Sequence, residues 1–86
     1  MATPKSVPLV VRLDGARQVL VSGDFSNWSP LPMKRSKDGA WKVELKLPPG
    51  EHQYRLVVDG EWRDDPAAPG YVENPYGSRN AVLRVS

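Results

Sequence analysis

The stretch Ala40 to Leu47 limits this chain more than any other. Trp41, Val43, Leu45 and Leu47 alternate there with Lys42, Glu44 and Lys46. Successive side chains leave a strand on opposite sides, so this period of two describes a strand with one buried and one wet face. Pro48-Pro49-Gly50 then forces a turn. No segment of ten or more residues repeats apolar side chains at i, i+3, i+4 and i+7, so helices are not expected to supply the second layer.

The rest of the chain reads as further strands between turns. Val7 to Leu13 is an apolar run, and Gln18 to Ser22 is the next. The Asp14-Gly15 pair between them suits a tight hairpin. Leu31 to Ser36 contains Pro32 and reads as a weak edge strand. Glu51 to Val58 is a strand that Asp59-Gly60 turns back into Glu61-Trp62-Arg63. Asp64 to Tyr76 is Pro-rich and reads as irregular, and Asn80 to Val85 closes the chain as a strand. Six or seven short strands at regular spacing predict an all-β antiparallel sandwich. Residues 1–6 read as a loose tail and residues 7–86 as one module, within the size of a single small domain.

Composition removes several functions. There is no Cys, so a disulfide scaffold and Cys-ligated metal sites are excluded. The single His and the scattered acids offer no metal-ligand cluster, and no cofactor is expected. No phosphate-cradling Gly-rich loop occurs. No apolar run is long enough to span a membrane. The start lacks a basic-then-apolar signal, which points to the cytoplasm. The sequence pI of 9.2 does not imply nucleic acid, because Lys and Arg are interleaved with Asp and Glu. Only Lys34, Arg35 and Lys37 cluster, and they read as a solvated loop.

A catalytic set is equally hard to assemble. His52 shares the parity of Tyr54, Leu56 and Val58, which places it near the rim of the core. Asp64 and Asp65 are neighbours and point apart in extended chain, so they do not make the facing carboxylate pair of a glycosidase. Asp65 precedes Pro66, which favours a local turn role. Asn27-Trp28-Ser29 matches a glycosylation acceptor by chance. The chain is not expected to be an enzyme.

The aromatic residues are more informative. Trp41 and Tyr54 fall on the buried parities of their strands. Trp28 instead lies in the polar turn segment Ser26-Asn27-Trp28-Ser29-Pro30, and Trp62 lies between Glu61 and Arg63 just past a turn. A large aromatic left at the surface forgoes roughly 1.5–3 kcal/mol of burial. Two readings remain open on the residues alone: a cap over the core edge, or a platform for the apolar faces of sugar rings.

The string Val21-Ser22-Gly23-Asp24-Phe25-Ser26-Asn27-Trp28 resembles the Gly-x-Phe-Asn-x-Trp signature of carbohydrate-binding module family 48, an early-set group that includes isoamylase N-terminal-like domains. Pro49-Gly50-Glu51-His52-Gln53-Tyr54-Arg55, Val58-Asp59-Gly60-Glu61-Trp62 with Asp65-Pro66, and Asn80-Ala81-Val82-Leu83 follow in family order. Within that family the chain is similar to the glycogen-binding domain of AMP-activated protein kinase beta subunits. The likeness runs from about Pro8 to Val85.

The resemblance implies an immunoglobulin-like sandwich that binds α-1,4-glucans such as glycogen and starch. By position it assigns stacking to Trp28 and Trp62, and hydrogen bonding to Arg55, Ser78 and Asn80. Tyr76 would be an apolar contact leaning over the ligand. Ser26, Arg55 and Tyr76 depart from the usual Asn, Lys and Leu, and the Arg changes the donor geometry. The implied partners are an α-glucan and a tethered or associated glucan-active enzyme or kinase, with no nucleic acid and no membrane. The alternative is an early-set structural or regulatory domain that contacts such an enzyme or kinase without binding sugar.

Overall fold

A computed structural model of the chain describes residues 4–13 and 15–85. Strand β1 (Lys5–Arg12) pairs antiparallel with β5 (Ala40–Leu47), and β5 pairs with the short β4 (Lys34–Arg35). The second sheet runs β3 (Leu31–Pro32), β2 (Val19–Gly23), β6 (Gly50–Val58), β9 (Arg79–Val85) and β8 (Gly70–Glu73). Strand β7 (Glu61–Arg63) pairs with the far end of β6, in line with β9. All pairings are antiparallel and no α-helix is present among the described residues. The architecture is the expected all-β sandwich.

The period-two reading of β5 holds. Trp41, Leu45 and Leu47 are buried while Lys42, Glu44 and Lys46 face water. Strand β6 does the same, with His52, Tyr54, Leu56 and Val58 inward and Gln53, Arg55 and Val57 on the outer face. Leu9, Val11, Trp41 and Leu47 from one sheet meet Val19, Val21, Tyr54 and Leu56 from the other in one core. That interdigitation is what holds two antiparallel layers together.

Four expectations are corrected. Val7–Leu13 and Gln18–Ser22 do not form a hairpin, because β1 pairs with β5 and β2 with β6. Strand β5 offers β1 eight matched positions, from Lys5↔Leu47 to Arg12↔Ala40, which outweighs a two-residue turn signal. Asp14 lies outside the described residues, and Gly15, at φ 78°, belongs to a link that crosses between sheets. The Leu31–Ser36 edge divides at the buried Met33 into β3 and β4, one on each sheet. The segment from Asp64 to Tyr76 contains β8, an ordered edge strand between Pro69 and Pro75. The first strand also starts at Lys5, two residues before the expected boundary.

The Asp59-Gly60 hairpin is as expected, with φ of 50° and 86° at its two central residues. Asp59 does more than turn the chain. Its Oδ1 accepts hydrogen bonds from the backbone N–H groups of Arg17 and Gln18 at 2.9 and 2.8 Å. The β6–β7 turn is thereby fastened to the start of β2.

Candidate functional site

Strand β6 presents Arg55 on the outer face of the larger sheet, and β7 sets Trp62 opposite Val57 on the same face. The loop after β2 delivers Trp28. There the chain leaves β2 through a 3-10 turn (Asp24–Ser26) and passes Asn27 and Trp28 with φ of 55° and 62°. A left-handed backbone suits Asn but is an outlier for a residue as bulky as Trp. Three contacts hold it. The Trp28 N–H donates to Gly23 O at 2.8 Å, the buried Ser22 Oγ donates to Trp28 O at 2.5 Å, and Ser26 Oγ donates to Ser29 O at 2.8 Å. Strain maintained this firmly is a mark of functional sites.

The β8–β9 loop forms the far wall. Asn74 organises it, its Oδ1 accepting from the N–H groups of Tyr76 and Ser78 at 3.0 and 3.2 Å. Its Nδ2 donates to Asn80 Oδ1 at 3.1 Å, and Asn80 Nδ2 donates to Gln53 Oε1 at 3.0 Å. Tyr76 is left 91% exposed at the loop tip. Trp28, Arg55, Trp62, Tyr76 and Asn80 line one open groove of about 620 Å³, together with Asn74 and Pro75.

The Arg55 guanidinium lies 5.8 Å from the centre of the Trp62 ring, within cation–π range. Its Nη2 is 3.5 Å from Asp64 Oδ1. The cation is thus held against the indole at one side and a carboxylate at the other. Trp28 and Trp62 remain 40% and 51% exposed, so neither serves as a buried cap over the core. Trp41 is 6% exposed and Tyr54 1%, as their strand parity requires.

Ser78 is the predicted site residue that the groove does not include. It lines a neighbouring polar depression instead, with Arg55, Asp64 and Arg79. Asn80 is on the groove, but it is 7% exposed and its amide is already engaged by Asn74 and Gln53. Asn74, Pro75 and Asp64 escaped the sequence reading as groove-building residues. The Asn74-Pro75 pair is a turn signal that marks a shaped loop there. His52 is nearly buried at the rim, with Nε2 at 2.8 Å from Pro48 O, and takes no part in the groove.

A strained aromatic and a second exposed Trp thus share one open outer face of an antiparallel sandwich. The family model described as the glycogen recognition site of AMP-activated protein kinase matches residues 7–86, and the chain belongs to that family of glycogen-recognition modules. The chain is 41% identical over 85 residues to 5'-AMP-activated protein kinase subunit beta-1 of the pig, covering 98% of this chain and 68% of that sequence. It is equally similar to the human subunit beta-1, of which it spans 31%, and 39% identical to human subunit beta-2. The chain therefore spans under a third of these human relatives.

Proposed function

We propose that the chain is a non-catalytic module that binds α-1,4-linked glucans in the groove between Trp28, Arg55, Trp62 and Tyr76. The observation that carries this reading is the pair of exposed indoles on one groove with a fixed cation beside them. An indole offers an apolar π face to the axial C–H groups of a sugar ring. Arg55 offers donors to the hydroxyls along the ring edge. Membership of the glycogen-recognition family supports the choice of glucan.

Such an open groove covers only part of its ligand and displaces water that already satisfies the hydroxyls. Binding is then weak, micromolar to millimolar, and rises with chain length. A weak site becomes effective when joined to a second one, because the attachment raises effective concentration. Similarity to kinase beta subunits favours a kinase assembly as the attached partner, and supports the second reading of a docking role without sugar.

The test is an amide and indole NMR titration with maltoheptaose, with cellohexaose as control. Shifts at the Trp28 and Trp62 indoles and at residues 74–80 with maltoheptaose alone are expected. Equal shifts with both sugars would remove the α-linkage from the proposal. No shifts at millimolar maltoheptaose would leave the docking role.

A further inference from the structure

Beside the aromatic groove lies a second depression of about 420 Å³, bordered by Arg55, Asp64, Glu73, Gly77, Ser78 and Arg79. Arg55 belongs to both, so the two are contiguous across its side chain. Their chemistry differs. The first carries the rings of Trp28, Trp62 and Tyr76, and the second has no aromatic ring and is bordered mainly by charged and hydroxyl groups.

Arg79 is held at two points. Its Nε donates to Asp64 Oδ2 at 3.0 Å, and its guanidinium carbon lies 4.0 Å from the centre of the Tyr71 ring. Neither Nη group makes a hydrogen bond among the described residues, and the side chain is 52% exposed. The result is a donor fork with its orientation already set, so little rotamer entropy remains to be lost on binding. The Ser78 hydroxyl is exposed and also makes no hydrogen bond among the described residues, since only the backbone of Ser78 is engaged by Asn74.

The charges select the kind of ligand. Arg55 and Arg79 are balanced by Asp64 and Glu73, and Glu73 faces Arg79 in register across β8 and β9. A depression with no net charge gives an anion no long-range gain. It does supply both donors and acceptors, which suits a neutral ligand that is both at once. A pair of adjacent sugar hydroxyls has that character.

We propose that this depression is a polar subsite for a further hexose unit of the chain lying on the aromatic groove, with Arg79 donating to its vicinal hydroxyls and Ser78 assisting. The proposal rests on the glucan reading above and deepens it. It accounts for Ser78 standing outside the aromatic groove. It also makes the gain in affinity with glucan length depend on Arg79.

Calorimetric titrations of the chain with maltotriose and maltoheptaose test this, using wild type, Arg79→Ala and Arg79→Lys. The expected result is maltoheptaose binding weakened about fivefold or more in both variants, with maltotriose affinity unchanged within about twofold. Arg79→Lys keeps the charge beside Asp64 and Tyr71, so it separates the donor fork from fold maintenance. Equal losses for both sugars, or no loss for either, would overturn the subsite while leaving the aromatic groove in place. Competition of millimolar inorganic phosphate with maltoheptaose would overturn it in favour of an anion site. If wild type binds neither sugar, the glucan reading itself fails.

Discussion

The Tyr54 hydroxyl donates a 2.5 Å hydrogen bond to Asp65 Oδ2 inside the sandwich. Tyr54 is on the central strand and Asp65 opens the Pro66 turn, so the bond ties β6 to the segment that leads into β8. Asp65 also accepts from Ala67 N–H at 2.9 Å, and its carbonyl accepts from the Tyr71 hydroxyl at 2.5 Å. Tyr54→Phe leaves a buried carboxylate oxygen short of a donor. A loss of about 1–3 kcal/mol in urea unfolding is expected, with the groove intact by indole NMR.

The same bond gives an alkaline limit. Burial, and then the hydrogen bond to Asp65 and its negative charge, hold the Tyr54 hydroxyl well above the ordinary tyrosine value of 10.0. Below that value both folded and unfolded states keep the proton, and the contribution is complete. Above it the unfolded chain loses the proton while the fold retains it, so stability falls by about 1.4 kcal/mol per pH unit. Urea midpoints from pH 9 to 11 check this. The decline should be shallower in Tyr54→Phe, and an identical decline would refute the assignment.

Fold and site separate at the tryptophans. Trp28→Ala and Trp62→Ala remove half-exposed rings, so glucan binding is expected to vanish while thermal unfolding stays cooperative. Trp41→Ala empties a core position and is expected to cost about 3–5 kcal/mol. Calorimetry on the three variants decides. Melting of the domain by Trp62→Ala would show that the ring is structural.

Gly23 has no room for a side chain. A Cβ there would lie 2.6 Å from Phe25 Cζ and 2.7 Å from Gln53 O. The carbonyl oxygen belongs to the central strand and cannot swing away. Gly23→Ala is expected to cost about 1–3 kcal/mol and to disturb the Trp28 loop, whose N–H is bound by the Gly23 carbonyl. Unchanged stability together with unchanged glucan affinity would contradict this.

At Asp59, a carboxylate oxygen serves two backbone donors from a residue with φ of 50°. Asp59→Asn keeps an acceptor and tolerates that backbone, so it is expected to cost under about 1 kcal/mol. Asp59→Ala loses both advantages and is expected to cost about 1–2 kcal/mol. Chemical denaturation of the two variants side by side tests the ordering.

The strands that were legible are the ones whose pattern is local. Ala40–Leu47 and Glu51–Val58 show their buried faces in their own alternation. What each strand pairs with is not local, and β1 finds its partner in a strand that begins at Ala40. The Asp14-Gly15 signal therefore misdirected the topology. Strand β8 was hidden because it is a short edge between prolines and half-wet, so neither composition nor period marks it. In the groove, polar neighbours betrayed Trp28 and Trp62, and the family likeness supplied Arg55, Tyr76 and Asn80. Asn74 was missed because it acts by shaping the backbone of its own loop. The place of Ser78 depended on how that loop bends after Gly77, at φ 80°, which no residue pattern encodes.

The left-handed backbone at Trp28 makes that residue an indicator of what preserves the chain. At φ 62°, Gly or Asn would be easier to accommodate than Trp, so a lineage kept only for folding should lose the indole early. Drift under selection for stability alone, followed in a display library without glucan, would erode position 28 before the core tryptophan at 41. On the proposed glucan reading, loss of the ring under such drift and its retention when glucan is supplied would make that backbone torsion a gauge of ligand selection.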